Sequence, residues 1–252
     1  GIPAFLGFDL IHIYDLFSIS AVDARNCLRF FRSAPFDDGS CINFDHFQKI
    51  TDDDVLIGRR IAREAVQHIN PHDRIVLDAS STAWYMAKLV PDIPITVITN
   101  SVKVIVELNA KEKIQVIATG GILTNRSMSF IGPLAERSLL NYHVDKAFIS
   151  SKGAYIESGI SESNEMQAII KQKMISIADE TYILCDHSKF QVQHLTQVAS
   201  WDDIDHVITD DKASPEILDG LRRRKVNVII AESQEAMMPA TSADHLLTDH
   251  NE

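Results

Sequence analysis

Hydroxyl, amide and basic side chains recur in short turns that follow apolar, β-branched runs of the sequence. In Asp78-Ala79-Ser80-Ser81-Thr82, three hydroxyls separate the run RIVL from an amphipathic stretch. Four later turns have the same character: Thr99-Asn100-Ser101, Thr119-Gly120-Gly121, Ser150-Ser151-Lys152-Gly153 and Asp186-His187-Ser188-Lys189-Phe190. Small residues let a ligand approach the backbone, free N–H groups at a helix start favour an anion, and lysine adds positive charge. These residue types are suited to binding an anionic ligand.

Each turn taken singly has a simpler explanation. Ser81 or Thr82 could merely cap the helix that follows. The paired glycines could mark only a turn, and the lysines and His187 could be solvated bystanders. The convergence of five such turns on one edge of a sheet is what predicts a ligand site.

The apolar runs that precede these turns predict an α/β fold, with a mostly parallel sheet flanked by helices. The predicted strands lie in RIVLDAS, ITVITNS, IQVIATGG, KAFISSKG, TYILCDHS, HVITDD and VNVIIAE, and the predicted helices span 56–69, 82–90, 102–110, 164–178 and 215–223. In such folds ligands lie beyond the carboxyl ends of the strands. Residues 1–49 lack this alternation and are predicted to form a small helical segment and linker. Residues 50–235 are predicted to form the α/β domain, and residues 236–252 a C-terminal tail.

Composition limits the classes of function. The chain has 252 residues, 45% of them hydrophobic, which suits one large domain or one domain with a small appendage. Its net charge of −11 disfavours bulk attraction to nucleic acid but permits a small basic face. No apolar run reaches the roughly 18 residues of a membrane span, and the start does not resemble a signal peptide. Three scattered cysteines have no metal-ligand spacing. We expect a cytoplasmic protein without metal, cofactor or membrane association.

The motifs in combination resemble the sugar-phosphate-sensing domain of the DeoR family of bacterial transcription regulators. The resemblance covers roughly residues 55–232 and rests on D-x-x-S-T, T-N-S, GG, S-K-G and D-x-S-K-F turns and a late I-D-x-V-I-T-D. It implies a fold related to ribose-5-phosphate isomerase and coenzyme A transferases, and a phosphorylated monosaccharide as effector. The sequence around DASST and TNS most resembles the sequences of regulators of deoxyhexose use, such as the use of fucose.

The implied effector site takes its residues from the five turns and the helix 164–178. Ser80, Ser81 and Thr82 would hold the phosphate, Asp78 would accept hydrogen bonds from sugar hydroxyls, and Lys152 would pair with the anion or a sugar oxygen. The other implied residues are Thr99, Asn100, Ser101, Gly120, Gly121, Gly153, Lys173, Asp186 and Lys189.

The resemblance also bears on DNA binding. Leu16–Phe31 falls in the register of the second half of the family's helix-turn-helix, and the implied contacts are Ser20, Ala21, Arg25 and Arg29. Asn26 stands where a second arginine is usual, and Asp23 adds negative charge. Residues 1–33 carry three Arg and three Asp, and any amphipathic helix could supply the same apolar spacing.

Three classes of function follow, and the family context favours the first. The first is a homo-oligomeric regulator whose operator binding is controlled by a sugar phosphate. The second is an isomerase-like enzyme using Asp78, Glu165 or Asp186 as acid or base. The third is a sensor that has lost DNA binding and acts through a protein partner.

Overall fold

The structure is a computed structural model that describes residues 52–232. The predicted segment 1–49 and the tail 236–252, with Ser20, Ala21, Arg25 and Arg29, lie outside the described residues. In chain order the elements are α1 (Asp52–Val66), β1 (Arg74–Leu77), α2 (Ser81–Leu89), β2 (Ile95–Thr99), α3 (Val102–Leu108), β3 (Ile114–Ala118), β4 (Ile122–Thr124), β5 (Ser129–Ile131), α4 (Pro133–Leu139), β6 (Val144–Ser150), β7 (Gly153–Tyr155), β8 (Gly159–Glu162), α5 (Glu165–Ser176), β9 (Ala178–Leu184), β10 (Thr196–Ala199), β11 (His206–Asp210), α6 (Pro215–Arg223) and β12 (Asn227–Ala231).

Seven strands form one sheet in the order β12-β11-β9-β6-β1-β2-β3, and every neighbouring pair is parallel. These are the seven strands that the β-branched runs predict, so the predicted fold class is confirmed. The helices predicted at 56–69, 82–90, 102–110, 164–178 and 215–223 correspond to α1, α2, α3, α5 and α6.

The sheet is covered on both faces because its strands alternate their side chains. In β1, Ile75 and Leu77 point to one face and Val76 to the other. The first face packs against α1, α2 and α3, whose buried residues include Ile61 and Met86. The second face packs against α4, α5 and α6. Both faces are therefore closed by helices, and the strand ends are left for a ligand.

The sequence patterns did not predict the antiparallel parts of the fold. β4 and β5 form a two-stranded hairpin, and β7, β8 and β10 form a three-stranded sheet. These strands have only three or four residues, so they carry too few alternations to differ from turns. The seven-residue helix α4 was not predicted either. Across the described range 52–232, no helix is long and apolar enough to cross a membrane.

The order of the strands reverses direction between β1 and β6. From β1 the chain proceeds outward through β2 to β3, and it then returns to β6 and proceeds the other way through β9 and β11 to β12. Such a reversal opens a crevice at the carboxyl ends of the two central strands. The turns that begin at Asp78 and Ser150 therefore flank this crevice.

Candidate ligand site at the carboxyl edge of the sheet

All five polar turns lie at the carboxyl edge, because the strands that precede them are parallel neighbours. The turns after β1 and β6 flank the central crevice. The turns after β2 and β3 follow on one side of it, and the turn after β9 follows on the other.

The hydroxyl turn after β1 divides its three hydroxyls between two tasks. Ser80 is the N-cap of α2, and its side chain accepts a hydrogen bond from the N–H of Ala83 at 3.0 Å. Ser81 is exposed and Thr82 is half-buried in the first helical turn. The N–H groups of this turn have no partner within the helix. Because Ser80 supplies the cap, Ser81 and Thr82 are available at the positive end of the helix dipole, where an anion is favoured.

Asp78 lies beneath this turn and joins it to the turn on the opposite side of the crevice. Its side chain is buried, and its Oδ1 accepts the N–H of Ser80 at 3.2 Å. Its Oδ2 accepts both the N–H (2.9 Å) and the hydroxyl (2.7 Å) of Ser150. The carboxylate therefore holds two turns together across the crevice, and hydrogen bonds from sugar hydroxyls to Asp78 stay a prediction.

A buried lysine completes this cluster. The ammonium of Lys171 lies 2.7 Å from Oε2 of Glu162 and 3.4 Å from Oδ2 of Asp78, and it donates to the carbonyl of Ser150 at 3.0 Å. Burial acts to lower the pKa of Lys171, but attraction to Asp78 and Glu162 outweighs it, so the net pKa is raised. The ammonium stays charged and neutralises one of the two buried carboxylates.

The sequence interpretation selected Lys173, which is partly buried in the last turn of α5. Two residues along a helix correspond to a rotation of about 200°, so Lys173 and Lys171 point in nearly opposite directions. Both lysines stand on the same predicted helix, so only the rotation of that helix against the sheet decides which of them reaches the cluster. Glu162 belongs to no motif that would have identified it as a residue of this cluster.

The turn after β2 is mostly engaged in its own structure. The Thr99 hydroxyl donates to the carbonyl of Leu77 at 2.8 Å and accepts the N–H of Ser101 at 3.0 Å. The Ser101 side chain caps α3. Asn100 donates its amide N–H to the carbonyl of Phe130 at 2.9 Å, but its buried Oδ1 has no hydrogen-bond partner among the described residues. A buried acceptor without a partner costs about 1–3 kcal/mol, so this oxygen is suited to a ligand donor.

The glycine turn after β3 needs its glycines for different reasons. Gly120 has a φ of 63°, and the space that a Cβ would occupy is open. Gly121 has a φ of 117°, and a Cβ there would lie 2.8 Å from the carbonyl oxygen of Ile131. Gly120 therefore leaves backbone accessible to a ligand, whereas Gly121 allows the hairpin to pack closely.

The turn after β6 contributes one exposed cation. Lys152 is exposed, next to the crevice. Gly153 is buried at the start of β7, and a Cβ there would overlap the carbonyl oxygen of Val192. The structure thus gives Gly153 a packing role and leaves Lys152 as the charged group of this turn.

The turn after β9 is braced by two carboxylates. Oδ1 of Asp186 accepts the N–H of Ser188 at 2.9 Å, and its Oδ2 lies 3.7 Å from the ammonium of Lys189. The fully buried Asp210 accepts the N–H of His187 at 2.7 Å and lies 2.8 Å from its Nδ1. This second clamp was not predicted, because Asp210 is 23 residues away in the sequence.

Comparisons with known proteins find one matching family and several relatives. Residues 58–211 match the family described as the DeoR C terminal sensor domain. An uncharacterized HTH-type transcriptional regulator of Bacillus subtilis, YulB, is 48% identical over 73% of this chain and 71% of its own length. The L-fucose operon activator of Haemophilus influenzae is 40% identical over 60% of this chain and 61% of its own. The transcriptional repressor GlcR of Bacillus subtilis is 36% identical over 70% and 68%, respectively.

Solved structures give a more distant likeness. Ribose-5-phosphate isomerase A of Methanocaldococcus jannaschii aligns over 56% of this chain and 55% of its own, with 17% identity and a TM-score of 0.41. A likeness at this level carries no argument about activity. The family match does establish membership, because the matched residues 58–211 make up more than half of the 252 residues. The chain therefore belongs to the family of the DeoR C-terminal sensor domain.

Proposed function

We propose that this protein regulates transcription of a sugar-utilisation operon and that a phosphorylated monosaccharide, bound at the carboxyl edge of the sheet, controls its DNA binding. The relatives support the regulatory part, since their names include an L-fucose operon activator and a putative aga operon transcriptional repressor of Escherichia coli O157:H7. The observation that carries the effector part is the crevice between β1 and β6. The turn after β1, where Ser80 caps α2, flanks this crevice on one side, and the turn after β6 with the exposed Lys152 flanks it on the other.

The phosphate belongs at the start of α2. Ser81 and Thr82 offer side-chain hydroxyls and first-turn N–H groups, and Lys152 supplies positive charge from the other side. The sugar would extend toward the turn after β2, where the buried acceptor Oδ1 of Asn100 has no hydrogen-bond donor among the described residues. A sugar hydroxyl would satisfy it. Gly120 would let the ligand approach the backbone, and Asp186 and Lys189 would bound the far side.

A regulator accounts for the site better than an isomerase does. Aldose–ketose isomerisation needs a carboxylate that is free to take a proton from the sugar. Asp78 is buried and shared between Ser80, Ser150 and Lys171, and Asp186 accepts from Ser188 and lies near Lys189. Glu165 is exposed in the first turn of α5. These engagements favour a site that binds its ligand without transforming it.

DNA binding and assembly are the remaining parts of the proposal. The DNA contacts would be made by Ser20, Ala21, Arg25 and Arg29. Two operator half-sites would be bound by a symmetric homo-oligomer, which we expect in the cytoplasm. The effector would shift DNA affinity by the difference in its own affinity for two states, typically about 1–3 kcal/mol. A sensor acting through a protein partner would bind the same effector but no operator.

Calorimetry with matched pairs of sugar phosphates and free sugars tests the effector. We expect binding of one or more phosphorylated sugars, with deoxyhexose phosphates in the panel, and much weaker binding of the free sugar. The S81A/T82A double variant should weaken only the phosphorylated ligand, whereas S176A, an exposed serine at the end of α5, should change nothing. Equal affinity for a sugar and its phosphate would remove the anion argument. A gel shift with the upstream DNA then distinguishes the operator-binding regulator from the partner-bound sensor.

A further inference from the structure

The hairpin of β4 and β5 lies against the turn after β2 and fixes the orientation of Asn100. The N–H of Phe130 donates to the carbonyl of Asn100 at 2.8 Å, and the side-chain amide of Asn100 donates to the carbonyl of Phe130 at 2.9 Å. A carbonyl oxygen only accepts hydrogen bonds, so the amide nitrogen of Asn100 must face Phe130. Its buried Oδ1, which has no hydrogen-bond partner within residues 52–232, is thereby left for a ligand donor.

The hairpin needs contacts with the rest of the domain to keep this position. Its strands, Ile122–Thr124 and Ser129–Ile131, have three residues each and form a two-stranded sheet of their own. A two-stranded hairpin is at best marginally stable in water. The turn after β2 supplies one attachment, since the N–H of Val102 donates to the carbonyl of Met128 at 2.9 Å. The position of Asn100 therefore depends on what else holds the hairpin.

A glutamine of α5 supplies a second attachment. Nε2 of Gln167 donates to the hydroxyls of Ser127 at 3.0 Å and Ser129 at 2.9 Å, and these two hydroxyls are 2.7 Å apart. Ser129 is fully buried and directly precedes Phe130. Gln167 is partly buried in the first turn of α5. Its contact with the hairpin is therefore one residue away from the carbonyl that orients Asn100.

The same face of α5 also reaches the central crevice. Lys171 lies four residues after Gln167, so the two side chains stand on one face of the helix, about 6 Å apart along its axis. Lys171 donates to the carbonyl of Ser150 and pairs with Asp78, which ties α5 to the turns after β1 and β6. Gln167 ties the same helix, through the hairpin, to the turn after β2. The proposed phosphate turn and the proposed sugar turn thus share α5 as a common support.

On the basis of the proposed function, we propose that Gln167 is a positioning residue for the sugar part of the effector. Its two hydrogen bonds hold the hairpin, and the hairpin holds the carbonyl of Phe130. That carbonyl keeps Oδ1 of Asn100 in place to accept a sugar hydroxyl. Without Gln167 the acceptor is no longer held in one orientation, so the bond to the sugar weakens. Phosphate binding at Ser81 and Thr82 does not depend on this chain of contacts.

Calorimetry of the Q167M variant of the full chain tests the inference, because methionine keeps the length of the side chain and removes both donors. The probes are inorganic phosphate and a panel of hexose and deoxyhexose phosphates that includes glucose-6-phosphate and fucose-1-phosphate. We expect Q167M to bind inorganic phosphate as the wild type does. It should bind the sugar phosphates that the wild type prefers roughly tenfold more weakly, the effect of about one hydrogen bond to a buried acceptor.

The chain offers a matched control on the same helix. Gln172 is exposed on α5, and its Nε2 donates to the carbonyl of Gln197 in β10 at 2.8 Å. Q172M therefore makes the same chemical change away from the hairpin and should bind every probe as the wild type does. Hydrogen exchange of the ligand-free chain should become faster in residues 100–104 and 127–131 for Q167M, and it should not change there for Q172M.

A double variant separates positioning from a general structural defect. In an N100A background, Q167M should cause little further loss of sugar-phosphate affinity, because the acceptor that it positions is absent. Equal weakening of inorganic phosphate and sugar phosphates in Q167M would overturn the inference. The same tenfold loss in the presence and absence of Asn100, or unchanged exchange of the hairpin, would also overturn it.

The measurements distinguish this inference from the proposed function. If the wild type prefers sugar phosphates to inorganic phosphate and Q167M binds them equally well, the effector proposal stands and the positioning role fails. If the wild type binds no sugar phosphate more tightly than inorganic phosphate, the effector proposal fails, and the role of Gln167 in placing a sugar fails with it.

Discussion

Replacing Lys171 with methionine tests whether the buried charge cluster holds the crevice together. Methionine keeps most of the volume of the side chain but removes the ammonium between Asp78 and Glu162, which lies 3.4 Å from one carboxylate and 2.7 Å from the other. Removing one partner of a buried ion pair typically costs about 3–5 kcal/mol, because a charge is left without compensation. With a urea m-value of about 2 kcal/mol/M, the unfolding midpoint should fall by roughly 2 M.

The pH dependence separates this electrostatic cost from a packing defect. In K171M, two buried carboxylates lose the cation that pairs with both, so uncompensated negative charge destabilises the folded state. The penalty is then largest where both groups are ionised and shrinks as pH falls and a carboxyl group takes up a proton. We expect a smaller loss of stability at pH 5 than at pH 8. In the wild type, the raised pKa of Lys171 means that its contribution is present throughout this range and is lost only above its usual value of 10.5.

The neighbouring lysine provides a matched control. K173M makes the same chemical change two residues along the same helix, at a partly exposed position outside the cluster, and should alter stability by at most about 0.5 kcal/mol. Adding E162Q to K171M removes one of the orphaned charges and should recover part of the loss. Equal effects of K171M and K173M, or a loss in K171M that does not change between pH 5 and pH 8, would refute the reasoning.

Three further outcomes follow from other parts of the described structure. Gly153→Ala should lower the melting temperature, with a loss of about 1–3 kcal/mol, because its Cβ would overlap the carbonyl oxygen of Val192. The Arg74 guanidinium, which donates to Asp145 at 2.6 Å, holds the pKa of this carboxyl at about 2, below its usual 3.8. The stability difference between wild type and Asp145→Asn should therefore be present above pH 4 and disappear as pH falls toward 2 in urea titrations. Burial raises the pKa of the Cys185 thiol, so in a chain whose other two cysteines are serine, a thiol reagent should react only as fast as the protein opens.

The parallel sheet could be predicted from the sequence because its strands are buried on both faces. Runs such as RIVL and ITVIT are continuous and β-branched, and each ends at a polar turn that marks the strand boundary. The antiparallel strands gave no comparable signal. β7, for example, is the three residues Gly153–Tyr155, and its placement depends on pairing with β8 rather than on any local preference.

The candidate site was predictable to the level of turns but not of individual atoms. The sequence shows three successive hydroxyls after β1, and the residue that becomes the cap depends on where α2 begins. In the structure Ser80 has an extended backbone, with φ −97° and ψ 164°, and Ser81 is the first helical residue. A shift of one residue would have exchanged their roles. Local pattern cannot settle such a register, because all three positions have a residue type that caps helices.

Residues that meet only through tertiary packing were the least predictable. Glu162 ends β8 and Lys171 lies on α5. Lys171 reaches Asp78, and Glu162 joins the cluster through its ion pair with Lys171. The polar residues at this edge consequently form two layers. The inner layer of Asp78, Lys171 and Glu162 is buried, and its members are paired with one another or with the backbone.

A saturated inner layer limits how the site can discriminate between ligands. Because its carboxylates and ammonium already have partners, a ligand that engaged them would have to break buried contacts, at a cost that its own hydrogen bonds would only offset. Within residues 52–232, the groups at this edge without a hydrogen-bond partner include the side-chain hydroxyls of Ser81 and Thr82, the Lys152 ammonium and Oδ1 of Asn100. The first three are suited to an anion of any origin. Selectivity among sugars should therefore depend on Asn100, the one buried group in this set, because a sugar without a donor at that point leaves its acceptor unpaired.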